Sequence, residues 1–330
     1  MRFPLQRDKP SGAGIWGAMT DRPARPTPAP PIFEEEVLPP GTEVVVPART
    51  DALAFAALLI GSTALAIGPW FVRMADVGPI ASGFWRLALA IPFLFLIARL
   101  SKQRVGRPGA GLWTLIVVAG FFFAADLALW HEGILRTKLA NSTLFGNISS
   151  LFFAAYGFFV ARRLPDGRQT IAILLATVGI ALLLGRSYEL SRDHLVGDLL
   201  SLGAGLCYVV YMITIERARL RLDTWPTLAI ATVVAAVCLW PMAEALEGAV
   251  MPHDWTPLVC LAIGSQVIGQ GLVVYAIGRL SPVVVGIVLL TQPLVSAMVG
   301  FAAYGERMTG PDMAGALALA AALVLIRGRR

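Results

Sequence analysis

Charge is scarce in this 330-residue chain: Asp, Glu, Lys and Arg make up 15% of it, against 57% hydrophobic residues. Soluble globular domains carry about 25% charged residues, and a mean hydropathy of +0.71 places this chain in a membrane instead. Cysteine and histidine are equally sparse, with three of each. Cys207, Cys238 and Cys260 stand singly in apolar runs with no C-x-x-C pair, a pattern of buried thiols rather than metal ligands. His131, His194 and His253 have no ligand spacing and fall at span ends or in spacers, where a wet rim is expected. No metal or cofactor is therefore expected. Walker loops, G-x-G-x-x-G fingerprints and nucleophile elbows are missing, so transport driven by ATP would need a partner. The strict alternation of a lipid-facing barrel strand is absent as well, which excludes a β-barrel reading.

What the chain does have is long apolar runs, at about 52–72, 80–98, 112–131, 139–160, 170–185, 197–216, 225–243, 256–276, 283–304 and 312–327. Each is near the roughly 20 residues that cross about 30 Å of hydrocarbon. Residues 1–50 differ in kind: Pro-rich runs and the cluster Glu34, Glu35, Glu36 read as a disordered tail, with no apolar core of a signal peptide. The excess of +6 lies between the spans. Arg99, Lys102, Arg104, Arg162, Arg163, Arg217 and Arg219 fall on one side and outweigh Arg73, Arg136, Lys138 and Arg186 on the other. The positive-inside rule then puts both termini in the cytoplasm of a bacterial inner membrane, and the basic pI is a topology signal with no nucleic acid implied.

A shift of 144 residues lays 52–186 on 196–330 without a gap, pairing Gly61 with Gly205, Gly120 with Gly264 and Leu175 with Leu319. Each half holds five spans, an odd number, so the second half enters the membrane inverted. The expected fold is an all-α integral membrane protein of ten transmembrane helices in two inverted five-helix repeats, an architecture of secondary transporters.

Polar groups inside the spans are the candidate site. Arg86 is the costliest, at no less than about 2.5–3.5 kcal/mol for a central arginine, and Asp126 lies at a similar depth. The two either neutralise each other in a salt bridge or face a solute, Arg86 meeting a carboxylate and Asp126 an amine or a proton. Asn147, Gln266, Gln270 and Gln292 form a second set near the midplane, where Pro293 predicts a broken helix beside Gln292. The bland alternative is that they hydrogen-bond helices together. Trp85, Tyr208 and Tyr211 are candidates for an aromatic pocket wall, whereas Trp70, Trp113, Trp130 and Trp255 fit an interfacial belt. Gly61, Gly120, Gly203, Gly205 and Gly264 are candidates for close helix approach, and Pro69, Pro92 and Pro241 for kinks. The charges are unequally shared: at the offset of 144, Arg86 falls on Ile230 and Asp126 on Gln270.

The run Gly120-Phe-Phe-Phe-Ala-Ala-Asp-Leu-Ala-Leu-Trp-His131, with Leu139-Ala-Asn-Ser-Thr-Leu144 and Gly305-Glu306-Arg307, resembles the drug/metabolite transporter superfamily and its ten-helix EamA-type permeases. Phe84-Trp85-Arg86 is similar to that family's second-helix arginine signature. The resemblance implies two oppositely oriented halves and movement of amino acids, nucleosides, cofactors or drugs. Ala161-Arg162-Arg163 departs from it, standing where Gly-Glu-Arg is expected, and Ser149 stands where Pro293 stands in the second half. The expected activity is export of a small polar metabolite, first an amino acid, by a monomer in contact with membrane lipids, with protons as a candidate coupled partner. The competing readings are an importer of a nucleoside or cofactor, and an integral-membrane enzyme acting on a lipid-linked substrate.

Overall fold

The computed structural model describes residues 51–104, 109–137, 139–185, 192–248, 250–295, 298 and 310–327. The tail at 1–50 and the turn Gly305-Glu306-Arg307 lie outside the described residues, as do Lys138 and Arg186. The described chain is helical: α1 (Ala52–Met74), α2 (Pro79–Leu100), α3 (Ala110–Arg136), α4 (Leu139–Ala161), α5 (Gly167–Gly185), α6 (Leu195–Arg219), α7 (Thr224–Glu247), α8 (Thr256–Ile277), α9 (Pro282–Leu289) and α10 (Gly310–Arg327). α1, α2, α3, α6, α7 and α8 are long and apolar enough to cross a membrane. The remaining four carry shorter apolar stretches, Phe145–Ala161, Gly167–Leu182, Pro282–Val295 and Gly310–Ile326.

Helix ends are set by local chemistry and by one another. Asp51 caps α1, its Oδ1 accepting from the N–H groups of Leu53 and Ala54 at 3.0 and 3.3 Å. α2 starts at Pro79, whose missing N–H costs nothing in the first turn. Its cap comes from elsewhere: the Glu247 carboxylate, at the end of α7, accepts from the N–H groups of Ile80 and Ala81 at 2.7 and 2.8 Å. Gly78 makes this possible, because a Cβ there would stand 2.2 Å from the Glu247 Cδ. At the other end, Gln103, just past α2, accepts from the N–H of Trp225 at 3.0 Å in the first turn of α7. α2 and α7 therefore run antiparallel, each helped at its start by a side chain at or just past its partner's far end. In the spacer before α2, Asp76 accepts from the N–H groups of His253 and Asp254, and the His253 bond above all holds its carboxyl below the ordinary value.

The packing has a pattern. α2 packs on α7, α4 on α9 and α5 on α10, while α3 packs on α6 as α1 does on α8. Under the offset of 144 the first three pairs map onto themselves and the last two onto each other. Glycines permit close helix approach at the α1/α8, α3/α7 and α4/α6 contacts: a Cβ at Gly61 would lie 2.8 Å from the Gly269 carbonyl, one at Gly120 2.7 Å from that of Ala231, and one at Gly205 3.0 Å from that of Phe145. Gly264 has no such role, since a Cβ there meets nothing within 4 Å, and at Gly203 only Leu129 is near. Gly286 is the tightest case against backbone, 2.3 Å from the Ser150 carbonyl. Gly286→Val should therefore separate α4 from α9 and cost at least about 1–3 kcal/mol, read as a lower Tm in detergent. An unchanged Tm would refute that close contact.

Two irregularities break the helices. Residues Ala262–Gln270 within α8 form a π-helix of nine residues, where single-turn bulges are usual and functional sites are common. α9 ends at Leu289, turns through Leu290 and Thr291, and is helical again at 292–295. Pro293 has no N–H to continue the ladder, and the Thr291 hydroxyl donates to the Val288 carbonyl at 2.7 Å while meeting Ser62 of α1 at 3.1 Å. α4, with Ser149 in place of that proline, is continuous. Pro69, Pro92 and Pro241 sit within α1, α2 and α7 without ending them.

Candidate functional site

α1, α2, α3, α4, α6 and α8 surround a cavity of about 160 Å³, which Gln292 also reaches from beyond the break in α9. Arg86, Asp126, Asn147, Tyr208, Gln270 and Gln292 all line it, although they are spread over more than 200 residues of chain. The arginine is held from behind. Its Nε donates to the Gln266 Oε1 at 3.2 Å, and the Gln266 Nε2 donates to the Thr232 hydroxyl of α7 at 3.0 Å. The guanidinium carbon lies 5.9 Å from the centroid of the Phe123 ring, within cation–π range.

Arg86 and Asp126 form no ion pair. No nitrogen of Arg86 comes within 4.0 Å of an Asp126 oxygen among the described contacts, and neither side chain is fully enclosed. The mutual salt bridge is thus not how the fold accommodates these two groups. An arginine and an aspartate instead stand apart on the wall of one cavity.

The other candidates are supporting groups rather than lining ones. Gln266 is buried behind Arg86, and the fully buried Tyr211 hydroxyl accepts from the Gln270 Nε2 at 2.8 Å. Tyr211 lies in an aromatic stack with Phe123 at 4.6 Å and Tyr208 at 5.5 Å, so Tyr208 presents the stack to the cavity and Tyr211 backs it. Trp85 points elsewhere, its Nε1 donating to the Val250 carbonyl at 2.7 Å and its ring meeting Phe84 and Trp255 edge-on.

Two residues assigned to the membrane rim belong to the cavity. His131 is 2% exposed and lines it, and so does Trp130. The apolar run ends at residue 131, but α3 continues to Arg136, where Glu132 and Arg136 pair at 2.9 Å. His131 is therefore more than a turn from the end of its helix.

Two stretches of the chain, residues 51–185 and 195–328, match the profile of the EamA-like transporter family. The chain belongs to that family. It is a multi-pass membrane transporter, and the lipid-linked enzyme reading falls away. The chain is 30% identical over 276 residues to the threonine/homoserine exporter RhtA of Salmonella typhimurium strain LT2, covering 72% of this chain and 91% of that protein. The RhtA of Escherichia coli K12 is 30% identical over 158 residues, covering 47% and 52%. One solved crystal structure shares the fold with a TM-score of 0.70 at 17% identity, over 83% of this chain and 95% of its own.

For a transporter, the Gln266 bridge has a measurable consequence. Gln266→Leu leaves the Arg86 Nε and the Thr232 hydroxyl without their partner, at about 1–3 kcal/mol for each buried group so left. The solute KM should rise about tenfold while the maximal rate falls less. An unchanged KM would remove Gln266 from the support of Arg86.

Proposed function

We propose that this EamA-family transporter exports small zwitterionic amino acids across the bacterial inner membrane. The observation that carries this reading is the pair Arg86 and Asp126, opposite in sign, unpaired and lining the same small cavity. A guanidinium offers two parallel donors to a carboxylate, and Asp126 offers acceptors to an ammonium group. A solute carrying both groups a bond or two apart would neutralise both walls at once. A nucleoside would leave each charge unpaired in the membrane interior. Asn147, Gln270, Gln292 and Tyr208 supply uncharged hydrogen-bonding groups around it. The names of the relatives, threonine/homoserine exporters, favour the same substrate class.

Transport proceeds by rocking of two inverted halves, 52–186 and 196–330, about the cavity. Antiparallel pairing of α2 with α7, which correspond at the offset of 144, supports that inversion, as does the lining of one cavity by the equivalent positions Asp126 and Gln270. All ten helices span the bilayer with both termini cytoplasmic, and the working unit is a monomer. Asp126 is the group on which a coupled proton would travel. The test is uptake into proteoliposomes of amino acids, nucleosides and riboflavin-like cofactors, with and without a proton gradient. Threonine and homoserine are expected to move. Movement of nucleosides alone would overturn the substrate class.

A further inference from the structure

Among the described residues three buried side-chain polar atoms have no hydrogen-bond partner: the Ser82 Oγ, the His131 Nδ1 and the Ser265 Oγ. Buried polar atoms are rarely left so, and each calls for an explanation. Two of the three lie against glycines, of which Gly68 lines the cavity. The Ser265 Oγ lies 2.6 Å from where a Cβ on the cavity residue Gly68 would stand, and the His131 Nδ1 lies 3.2 Å from the corresponding point on Gly83. Of these atoms only that of His131 belongs to a side chain that itself lines the cavity.

The orientation of the ring follows. Its Cε1 and Nδ1 face Gly83, at 3.0 and 3.2 Å from the position of a Cβ, which leaves the Nε2–Cδ2 edge for the cavity. In an imidazole the bond made by one nitrogen fixes whether the other donates or accepts. Here Nδ1 makes none, so the protein does not fix the role of Nε2. Nε2 can then donate to a solute oxygen or accept from it, which matches a hydroxyl, itself both donor and acceptor. Five residues along α3 place His131 about 7.5 Å beyond Asp126 along the helix axis, and both line the same cavity.

We infer that His131 is the specificity residue that reads the side-chain hydroxyl of the transported amino acid, so that the cavity selects threonine over its apolar isostere valine. This rests on the amino-acid reading above. A pocket built to hydrogen-bond a hydroxyl discriminates against the analogue without one, because its own polar group is then left unpaired. At the usual cost of an unpaired buried group, threonine should be preferred about ten- to hundredfold.

The experiment is counterflow of radiolabelled threonine and valine in proteoliposomes, reported as a ratio of kcat/KM values, which does not depend on how much protein is active. Wild type is expected to favour threonine. His131→Phe should bring the ratio close to one, and His131→Gln, which keeps a donor and an acceptor, should restore much of it. If His131→Phe moves neither solute, Gly83→Ala carries the test: its Cβ pushes on the ring from behind, and the ratio should fall. A ratio that stays at the wild-type value in His131→Phe or, in that event, in Gly83→Ala overturns the inference. Equal transport of threonine and valine by wild type overturns it too but leaves the amino-acid reading standing. Transport of neither by wild type overturns that reading and the inference with it.

Discussion

Arg86→Ala is expected to lower amino-acid transport at least about thirtyfold, because truncating one side of a buried charged contact typically costs 2–5 kcal/mol. Arg86→Lys should recover little. A lysine keeps the charge but has neither the planar fork that meets a carboxylate nor an Nε to donate to Gln266. Proteoliposome uptake checks both variants, and a lysine variant close to wild type would mean that position 86 supplies only a positive field. Arg86→Ala should nevertheless fold, since among the described residues no carboxylate forms a salt bridge with the guanidinium.

Asp126→Asn is expected to reduce transport by a comparable factor, about thirtyfold or more, through loss of the anionic partner of the solute's ammonium group. Its effect on stability separates the two readings of the charges. Breaking a buried salt bridge costs about 3–5 kcal/mol, which would lower Tm by many degrees. An unpaired carboxylate at the cavity wall stabilises nothing, so the Tm of Asp126→Asn in detergent should equal or exceed that of wild type. A sharp fall in Tm with transport intact would make Asp126 a structural residue. Residual transport that keeps the wild-type pH dependence would remove it as a proton carrier.

Much of this was legible in the sequence because a membrane span advertises itself over some 20 residues, and because an arginine or aspartate within one is costly enough to demand a role. Arg86 and Asp126 stand out on that ground, Asn147 and Gln270 as uncharged polar groups near the midplane, and all four line one cavity. The long-range pairing was less legible. Whether Arg86 binds Asp126 or Gln266 depends on how α2, α3 and α8 pack, and depth along each helix fixes only one coordinate of three. Trp85 shows the same limit: it adjoins Arg86 in sequence, yet successive helical residues point about 100° apart, and its indole reaches Val250 instead. His131 is hidden from the sequence for another reason, since the apolar run gives out at Glu132 while the helix continues to Arg136. The π-helical stretch at 262–270 has no local signature in the sequence.

The most direct test of the two separate charges is competition with labelled threonine for binding by unlabelled threonine and two analogues: its methyl ester, which lacks the carboxylate, and N-acetylthreonine, which lacks the ammonium group. Only unlabelled threonine is expected to compete at its own Kd, with the ester and the acetylated form each weakened about thirtyfold or more. Competition by both derivatives as strong as that of threonine would contradict a site in which Arg86 and Asp126 each meet one end of a zwitterion.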